Sequence, residues 1–64
     1  MTEVEHFDKL FDYTHLPAGP LRETSRLFRM LYVDLVHRLP AGRERTAGFR
    51  KLLEAKDCAV RSAL

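Results

Sequence analysis

The fold is decided by residues 21–42, whose sequence is LRETSRLFRMLYVDLVHRLPAG. Apolar residues recur there with the 3.6-residue period of an α-helix, which predicts a helix over about residues 21–38. The Leu-Pro-Ala-Gly stretch at residues 39–42 breaks that helix and is long enough to reverse the chain. The apolar stripe that we expect to face the next helix consists of Leu21, Phe28, Leu31, Tyr32, Leu35 and Leu39.

A second long helix is predicted over about residues 43–64. Its apolar face contains Phe49, Leu52, Leu53, Ala59, Val60 and Ala63. Its opposite face carries charges of alternating sign, spaced three or four residues apart, as on a solvated helix surface: Arg50, Glu54, Asp57 and Arg61. Lys56 projects from the middle of the apolar face. Its stem reaches an edge of that face, or its ammonium group meets an anion in a pocket.

The N-terminal residues predict a short third helix. Residues 2–5 (Thr-Glu-Val-Glu) form a capping box in which Thr2 and Glu5 bind backbone N–H groups. The helix then runs to about Phe11, with Val4 and Phe7 on the same face. The Pro- and Gly-rich residues 14–20 form a loop. No strand pattern or internal repeat is present in the sequence. We therefore predict one all-α domain over residues 1–64, a helical hairpin (about 21–38 and 43–64) with a short N-terminal helix.

The size of the chain predicts self-association. Domains below roughly 70–80 residues usually need a disulfide, a metal or a partner chain, and this chain has 64 residues. Cys58 is the single cysteine, which excludes an internal disulfide, and it cannot form a four-ligand zinc cluster with three scattered histidines. Four further apolar residues point away from the stripe and make the helix centre apolar nearly all round, so we expect an oligomer: Leu27, Met30, Val33 and Val36.

Composition narrows the functional classes. The 45% hydrophobic and 31% charged residues are typical of a folding sequence. The chain contains neither an apolar run long enough to cross a bilayer nor a signal-peptide pattern, so we expect a cytoplasmic, reduced protein without a membrane partner. Residues 1–12 are acidic, whereas residues 13–64 hold ten basic side chains against five acidic ones. An anionic partner is therefore expected.

Enzyme signatures are absent from the sequence. It has no Gly-rich phosphate loop, no paired histidines on a helix face and no Gly-x-Ser-x-Gly elbow. A lone helical cysteine such as Cys58 more often packs than reacts. We therefore predict a protein that is not an enzyme and has no catalytic residues, bound metal or cofactor.

A row of arginines is the strongest functional signal. Arg22, Arg26 and Arg29 are spaced four and three residues apart, so they share a face near the start of a helix. Like charges there repel one another and oppose the helix dipole, and a bound anion would remove both penalties. Tyr13 lies just upstream. A ring that stacks on a base, next to arginines that bind phosphate, is the minimal equipment for a nucleotide. Alternatively, Tyr13 packs over the hairpin and the arginines are only solvated.

Arg43 and Arg45 form a second basic cluster at the start of the last helix. There too the helix dipole disfavours cations, so an anion could bind. The alternative is that Glu44 and solvent satisfy both guanidinium groups.

Three segments resemble a known family in their order and spacing: residues 11–17 (FDYTHLP), 39–45 (LPAGRER) and 51–63 (KLLEAKDCAVRSA). The family consists of small phage-encoded sponges that blunt CBASS immunity by sequestering cyclic oligonucleotides, and one class of anti-Thoeris sponge shares its helical-hairpin domain. The chain departs from the pattern at Asp57-Cys58, where the family has Met-Trp, and at Thr14, which separates Tyr13 from His15.

The resemblance implies a helical hexamer without enzymatic activity in the cytoplasm of an infected bacterial cell. Cyclic dinucleotides would lie between subunits, and cyclic trinucleotides would occupy separate sites near a symmetry axis. Tyr13 corresponds to the base-stacking tyrosine of the family, and the phosphate contact falls at Arg29 or, with a different gap, at Arg26. Arg43 and Arg45 would belong to a second pocket. The full set of candidate ligand-binding residues is Tyr13, His15, Arg22, Arg26, Arg29, Arg43, Arg45 and Lys56.

The alternative function is a small helical DNA-binding regulator or a protein-interaction module. A DNA-binding protein would place the arginine row on phosphates and lose affinity steeply with salt. A sponge would bind small cyclic ligands at physiological salt, and duplex nucleic acid is not an expected partner for it.

Overall fold

The computed structural model describes residues 3–64, and it is helical throughout its regular elements. Helix α1 spans Glu3–Leu10, α2 spans Pro20–Arg38 and α3 spans Arg43–Ser62. No strand occurs in residues 3–64, and α2 and α3 pack against each other as a hairpin. The all-α prediction is confirmed. The predicted capping role of Thr2 lies outside the described residues.

The ends of the helices follow the local sequence closely. Gly19 precedes α2 with φ of 129°, a backbone angle that residues with a side chain rarely adopt. Pro20 then occupies the first helical turn, where its missing N–H costs nothing. Leu39 ends α2 in an extended conformation ahead of Pro40. Helix α3 ends at Ser62, two residues before the predicted end.

The core is a cluster of four aromatic side chains. Phe11 and Tyr32 stack with ring centroids 4.6 Å apart and planes 7° apart. Phe49 meets Tyr32 edge-on at 5.0 Å, and Phe7 meets Phe49 edge-on at 5.5 Å. All four are buried. The partly buried residues around them are Phe28, Val33, Leu35, Val36, Leu52 and Leu53.

The buried face of α2 is rotated relative to the predicted stripe. Leu31 and Leu39 were expected in it, but they are 46% and 43% exposed. Val33 and Val36 were expected to point elsewhere, but both pack against the aromatic cluster. The reason is that the fully buried Ser25 lies two turns before Tyr32 and slightly to one side of it, so the buried face is centred toward that side. Val36 and Val33 lie toward the same side, whereas Leu31 lies about 100° from Tyr32 on the other side. Leu39 lies beyond the end of the helix.

The predicted packing role of Cys58 is wrong. Its side chain is exposed, and its Sγ lies 3.4 Å from Nη2 of Arg61. Cys58 follows Phe49 by nine residues, which is half a turn beyond a whole number of turns. The thiol therefore lies on the side of α3 opposite the core.

Arg45 binds groups within the fold, whereas the two predicted alternatives were a ligand anion, or Glu44 and solvent. Its Nη1 donates to the carbonyl oxygens of Leu39 at 2.9 Å and Val36 at 3.5 Å, at the C-terminal end of α2. Its Nε lies 3.8 Å from Oε1 of Glu3, and its side chain is only 9% exposed. Arg45 therefore caps α2 and ties it to α1. Glu44 and solvent do not satisfy it, and its donors are directed into the fold.

Replacement of Arg45 should destabilise the protein far more than replacement of its exposed neighbour Arg43. Arg45→Ala leaves two carbonyl groups and the Glu3 carboxylate without their cation, which should lower the free energy of unfolding by about 2–4 kcal/mol. Arg43→Ala should change it by less than about 0.5 kcal/mol. Urea denaturation at one fixed chain concentration measures both, and equal effects would contradict the capping role.

Stability at alkaline pH should depend on Tyr32. Its hydroxyl donates to the carbonyl of Val4 at 3.1 Å. Burial, followed by the neighbouring Asp8 carboxylate, raises the pKa of Tyr32 to about 12. The unfolded chain ionises near pH 10, so folding stability is complete below pH 10 and falls by roughly 2–3 kcal/mol as the pH rises to 12.

The Tyr32→Phe variant tests this expectation. It keeps the ring but cannot ionise, so its unfolding free energy should fall less steeply between pH 10 and pH 12 than that of the unaltered protein. Lys56 also titrates in the alkaline range, but both proteins contain it and its contribution cancels in the comparison. Parallel pH profiles for the two proteins would show that the phenol of Tyr32 ionises as freely in the folded state as in the unfolded one.

Candidate ligand-binding surface

Tyr13 lies on a turn that hydrogen bonds hold in shape. Oδ1 of Asp12 accepts the backbone N–H of Thr14 at 3.0 Å and the Thr14 hydroxyl at 2.8 Å. The N–H of Leu16 donates to the carbonyl of Tyr13 at 3.1 Å. The backbone bond from Thr14, and then its hydroxyl, lower the pKa of Asp12 below the ordinary value. Asp commonly begins a turn of this kind, in which its carboxylate binds the backbone two residues later. The turn holds the backbone of Tyr13 in place and so fixes the point from which its side chain extends.

The ring of Tyr13 lies against the arginine row of α2. The guanidinium carbon of Arg22 is 5.6 Å from its centroid, within the range of a cation–π contact. Both side chains are half-buried. The structure thus brings Tyr13 and Arg22 together, and the ring does not join the aromatic core.

Arg26 has the most available guanidinium group of the row. Its side chain is exposed, and within residues 3–64 it makes no hydrogen bond or ion pair. Two shallow hollows of about 340 and 470 Å³ flank it, and Tyr13 and Arg26 line both. The first is also lined by Ala18, Gly19, Arg22 and Glu23. The second is also lined by Arg29, Met30, Val33, Asp34 and His37.

Arg29, by contrast, already binds within the fold. Its Nη1 donates to the carbonyl of Asp8 at 2.9 Å and lies 3.6 Å from the Asp8 carboxylate. Its guanidinium carbon is 5.7 Å from the centroid of the Tyr32 ring. Of the two arginines that the sequence left open for a phosphate contact, Arg26 therefore has more free donors.

The other candidate residues lie elsewhere. His15 is exposed, with Nδ1 4.0 Å from Oδ2 of Asp12, and it lines neither hollow. Arg43 is exposed at the start of α3. Arg45 caps α2, as described above. The structure therefore groups four of the eight candidates: Tyr13, Arg22, Arg26 and Arg29.

Lys56 uses its ammonium group on the backbone. Its Nζ donates to the carbonyl of Leu10 at 2.6 Å and lies 5.8 Å from the centroid of the Phe11 ring. Burial lowers the pKa of Lys56. The stem carries the ammonium group to an exposed edge of the apolar face, as the first alternative expected, and its partner there is the C-terminal end of α1. Lys56 joins α3 to α1.

His37 was missed as a residue of the surface. It follows Arg26 by eleven residues, Met30 by seven and Val33 by four, which are spacings that share one helix face. This periodicity is present in the sequence, but the arginine row that predicted the site ends at Arg29. His37 closes the far end of the larger hollow.

No group of three or more His, Cys, Asp or Glu residues that could hold a metal ion occurs in the part of the chain that the structure describes. None of the helices α1–α3 is long and apolar enough to cross a membrane.

Comparisons with known protein families, curated proteins and solved structures find no match to this chain. The chemistry of the surface must therefore be taken from its residues. A half-buried phenol ring, an exposed guanidinium group and a second cation against the ring can bind a planar ring system that carries phosphate.

The capping contact of Lys56 predicts a specific loss of stability. Lys56→Met keeps the apolar stem but removes the exposed bond to the Leu10 carbonyl, which should cost about 0.5–1.5 kcal/mol of unfolding free energy because water can replace the lost donor only in part. Lys51→Met replaces an exposed lysine on the same helix and should change stability by less than about 0.5 kcal/mol. Thermal and urea unfolding of both variants measure this, and equal stabilities would contradict the contact.

Proposed function

We propose that this protein sequesters cyclic oligonucleotide second messengers without cleaving them. Cyclic dinucleotides, and cyclic trinucleotides at separate sites, would bind between copies of the chain in a homohexamer. In this role it would be a phage anti-defence protein that blocks CBASS-type immunity in the host cytoplasm. The observation that carries the proposal is the grouping of Tyr13, Arg22 and Arg26 around two open hollows on α2.

The chemistry of this grouping suits a nucleotide. One face of Tyr13 contacts Arg22, which leaves the ring able to stack on a base through the remaining surface. Arg26 has an open guanidinium fork, the geometry that binds phosphate oxygens in pairs. The hollows, at about 340 and 470 Å³, are within the size range of small-molecule sites.

The shallowness of the hollows supports a site shared between copies. A cyclic dinucleotide presents two bases and two phosphates around a small ring, so it matches a site with two-fold symmetry. Two copies of Tyr13 could then contact both bases, and two copies of Arg26 both phosphates. A sponge competes with the host effector through affinity and copy number, so it needs no catalytic group.

The main departure from the sponge pattern is compatible with the proposal. Asp57 and Cys58 stand where the family has Met-Trp, and both are exposed on α3. A large aromatic residue at these positions would lie outside the aromatic core. Its replacement therefore affects contacts that α3 makes with other copies and leaves the fold of one chain unaltered.

The deciding experiment mixes the purified protein with a panel of cyclic di- and trinucleotides at physiological salt. Calorimetry measures binding, and heat denaturation followed by chromatography shows the state of the released ligand. Binding with intact release is the expected result. Cleaved ligand would show an enzyme, and binding of duplex DNA that falls steeply with salt would favour the regulator. A protein that binds nothing on the panel would contradict the proposal.

Each substitution in the ligand-binding surface is paired with a control variant, and the affinity for cyclic nucleotides is compared within each pair. Tyr13→Ala should weaken binding at least tenfold because it removes the stacking ring, whereas Tyr13→Phe keeps the ring and should stay within about threefold. Arg26→Gln should also lose at least tenfold. Arg50→Gln, an equal change at an exposed arginine of α3 that lines neither hollow, should have no effect. Unchanged affinity in Tyr13→Ala would remove the stacking role.

A further inference from the structure

The outer face of α2 has no cover within the described chain. Leu27 and Met30 are 66% and 56% exposed, and Leu31 is exposed beside them. Met30 and Leu27 lie about 160° and 140° around the helix from Tyr32, and Leu31 lies next to them at about 100°. A shallow hollow of about 230 Å³ between Leu27, Phe28 and Leu31 is lined almost wholly by apolar atoms. An apolar side chain from another helix could fill it.

Charged residues lie at both ends of this apolar centre. Glu23 lies on the same face toward the start of α2, and Asp34 and Arg38 lie toward its end. Arg38 Nε donates to Asp34 Oδ1 at 2.9 Å. We define the outer face of α2 as Glu23, Leu27, Met30, Leu31, Asp34 and Arg38. The middle of this face is apolar. The end toward the start of α2 carries the acidic Glu23, and the other end carries Asp34 followed by Arg38.

We propose that the outer face of α2 packs against the same face of a second copy, with the two helices antiparallel about a two-fold axis near Met30. The occupant of this surface is thus another copy of the chain. The position of the ligand in this pair rests on the proposed function. The packing of the two helices does not, because it is inferred from the residues of the outer face of α2 alone.

The charges select the antiparallel orientation. Glu23 precedes Met30 by seven residues and Arg38 follows it by eight, so the two lie about 10 and 12 Å along the helix from the axis. In an antiparallel pair, Glu23 of each copy therefore faces Arg38 of the other, and the Asp34–Arg38 pair extends into a network. In a parallel pair, Glu23 would face Glu23 and Asp34 would face Asp34, which is unfavourable.

The symmetry also determines where the two ligand hollows lie. In such a pair, the two-fold axis lies midway between the two helices and is perpendicular to both. Residues on one flank of the first helix therefore lie on the same edge of the pair as the matching residues of the second helix. Arg26 and Tyr13 line the flank of this face. The larger hollow, which includes Met30 and Asp34, would therefore meet its symmetry mate on one edge of the pair. A ligand on the two-fold axis would contact both copies.

A charge-exchange series in the absence of ligand tests the packing. Glu23→Arg alone and Arg38→Glu alone should each weaken self-association at least fivefold in sedimentation, because like charges then face each other. The double variant Glu23→Arg/Arg38→Glu should recover the original association. Glu54→Arg, the same acid-to-arginine change at an exposed position of α3, serves as the control and should leave association unchanged. Single variants that associate as tightly as the unaltered protein would overturn the antiparallel pairing.

The apolar centre provides a second measurement. Leu27→Glu should dissociate the pair while circular dichroism shows unchanged helix content, because Leu27 is remote from the aromatic core. A Leu27→Glu protein that still associates, or an unaltered protein that is a single chain at all concentrations, would overturn the proposal. Ligand binding is measured separately. Pairing without ligand binding would refute only the proposed function. Ligand binding by a single chain would refute the pairing and the site shared between copies, and would leave sequestration itself in place.

Discussion

The stack of Phe11 on Tyr32 is the contact on which the rest of the molecule depends. Phe11 follows α1 and Tyr32 lies in the middle of α2, so their parallel rings hold the N-terminal segment against the hairpin. Phe7 and Phe49 complete the cluster edge-on. Aromatic rings bury a large apolar area per residue, which lets four side chains form a core in a chain this short. The cluster occupies one side of α2 only, so the other side is left open.

Cations at the helix ends complete the fold. The last four carbonyls of α1 all have donors: Phe11 and Asp12 supply backbone N–H groups, and two long basic side chains supply the rest. Arg29 binds the carbonyl of Asp8, and Lys56 binds that of Leu10. Arg45 performs the same task at the end of α2. Carbonyls at a helix end attract cations because they lack partners and lie at the negative end of the dipole.

Because several basic residues bind carbonyl groups of the protein itself, their number alone does not indicate an anion-binding surface. The excess of positive charge in residues 13–64 looked like a surface for anions, but Arg29, Arg45 and Lys56 direct their donors to main-chain carbonyls. Arg22 lies against a ring. Arg26 therefore stands out, because it is placed beside Tyr13 with its donors open. A site with one such arginine per chain gains strength when two chains contribute to it.

Local periodicity predicted the helices and most of the core, but it could not assign the partners of the long side chains. The breaks at residues 14–20 and 39–42 and the burial of Phe7, Phe11, Tyr32 and Phe49 follow from spacing and turn chemistry. The predicted direction of the buried face of α2 was wrong by part of a turn. The reason is that the centre of this helix is apolar nearly all round, so its sequence does not single out one direction. The contact between Lys56 and Leu10 joins residues 46 positions apart, so no local pattern contains it.

In the proposed assembly, α2 uses one side for the aromatic core and the other for pairing, which joins self-association to ligand binding. If a ligand contacts two copies at once, it binds the pair more tightly than the single chain, and by thermodynamic reciprocity it must strengthen the pairing by the same factor. Tyr32 and the outer face of α2 lie on opposite sides of one helix, so the core fixes the direction in which that face points. The aromatic cluster thereby sets the geometry of the proposed site, although none of its four rings lines the two hollows.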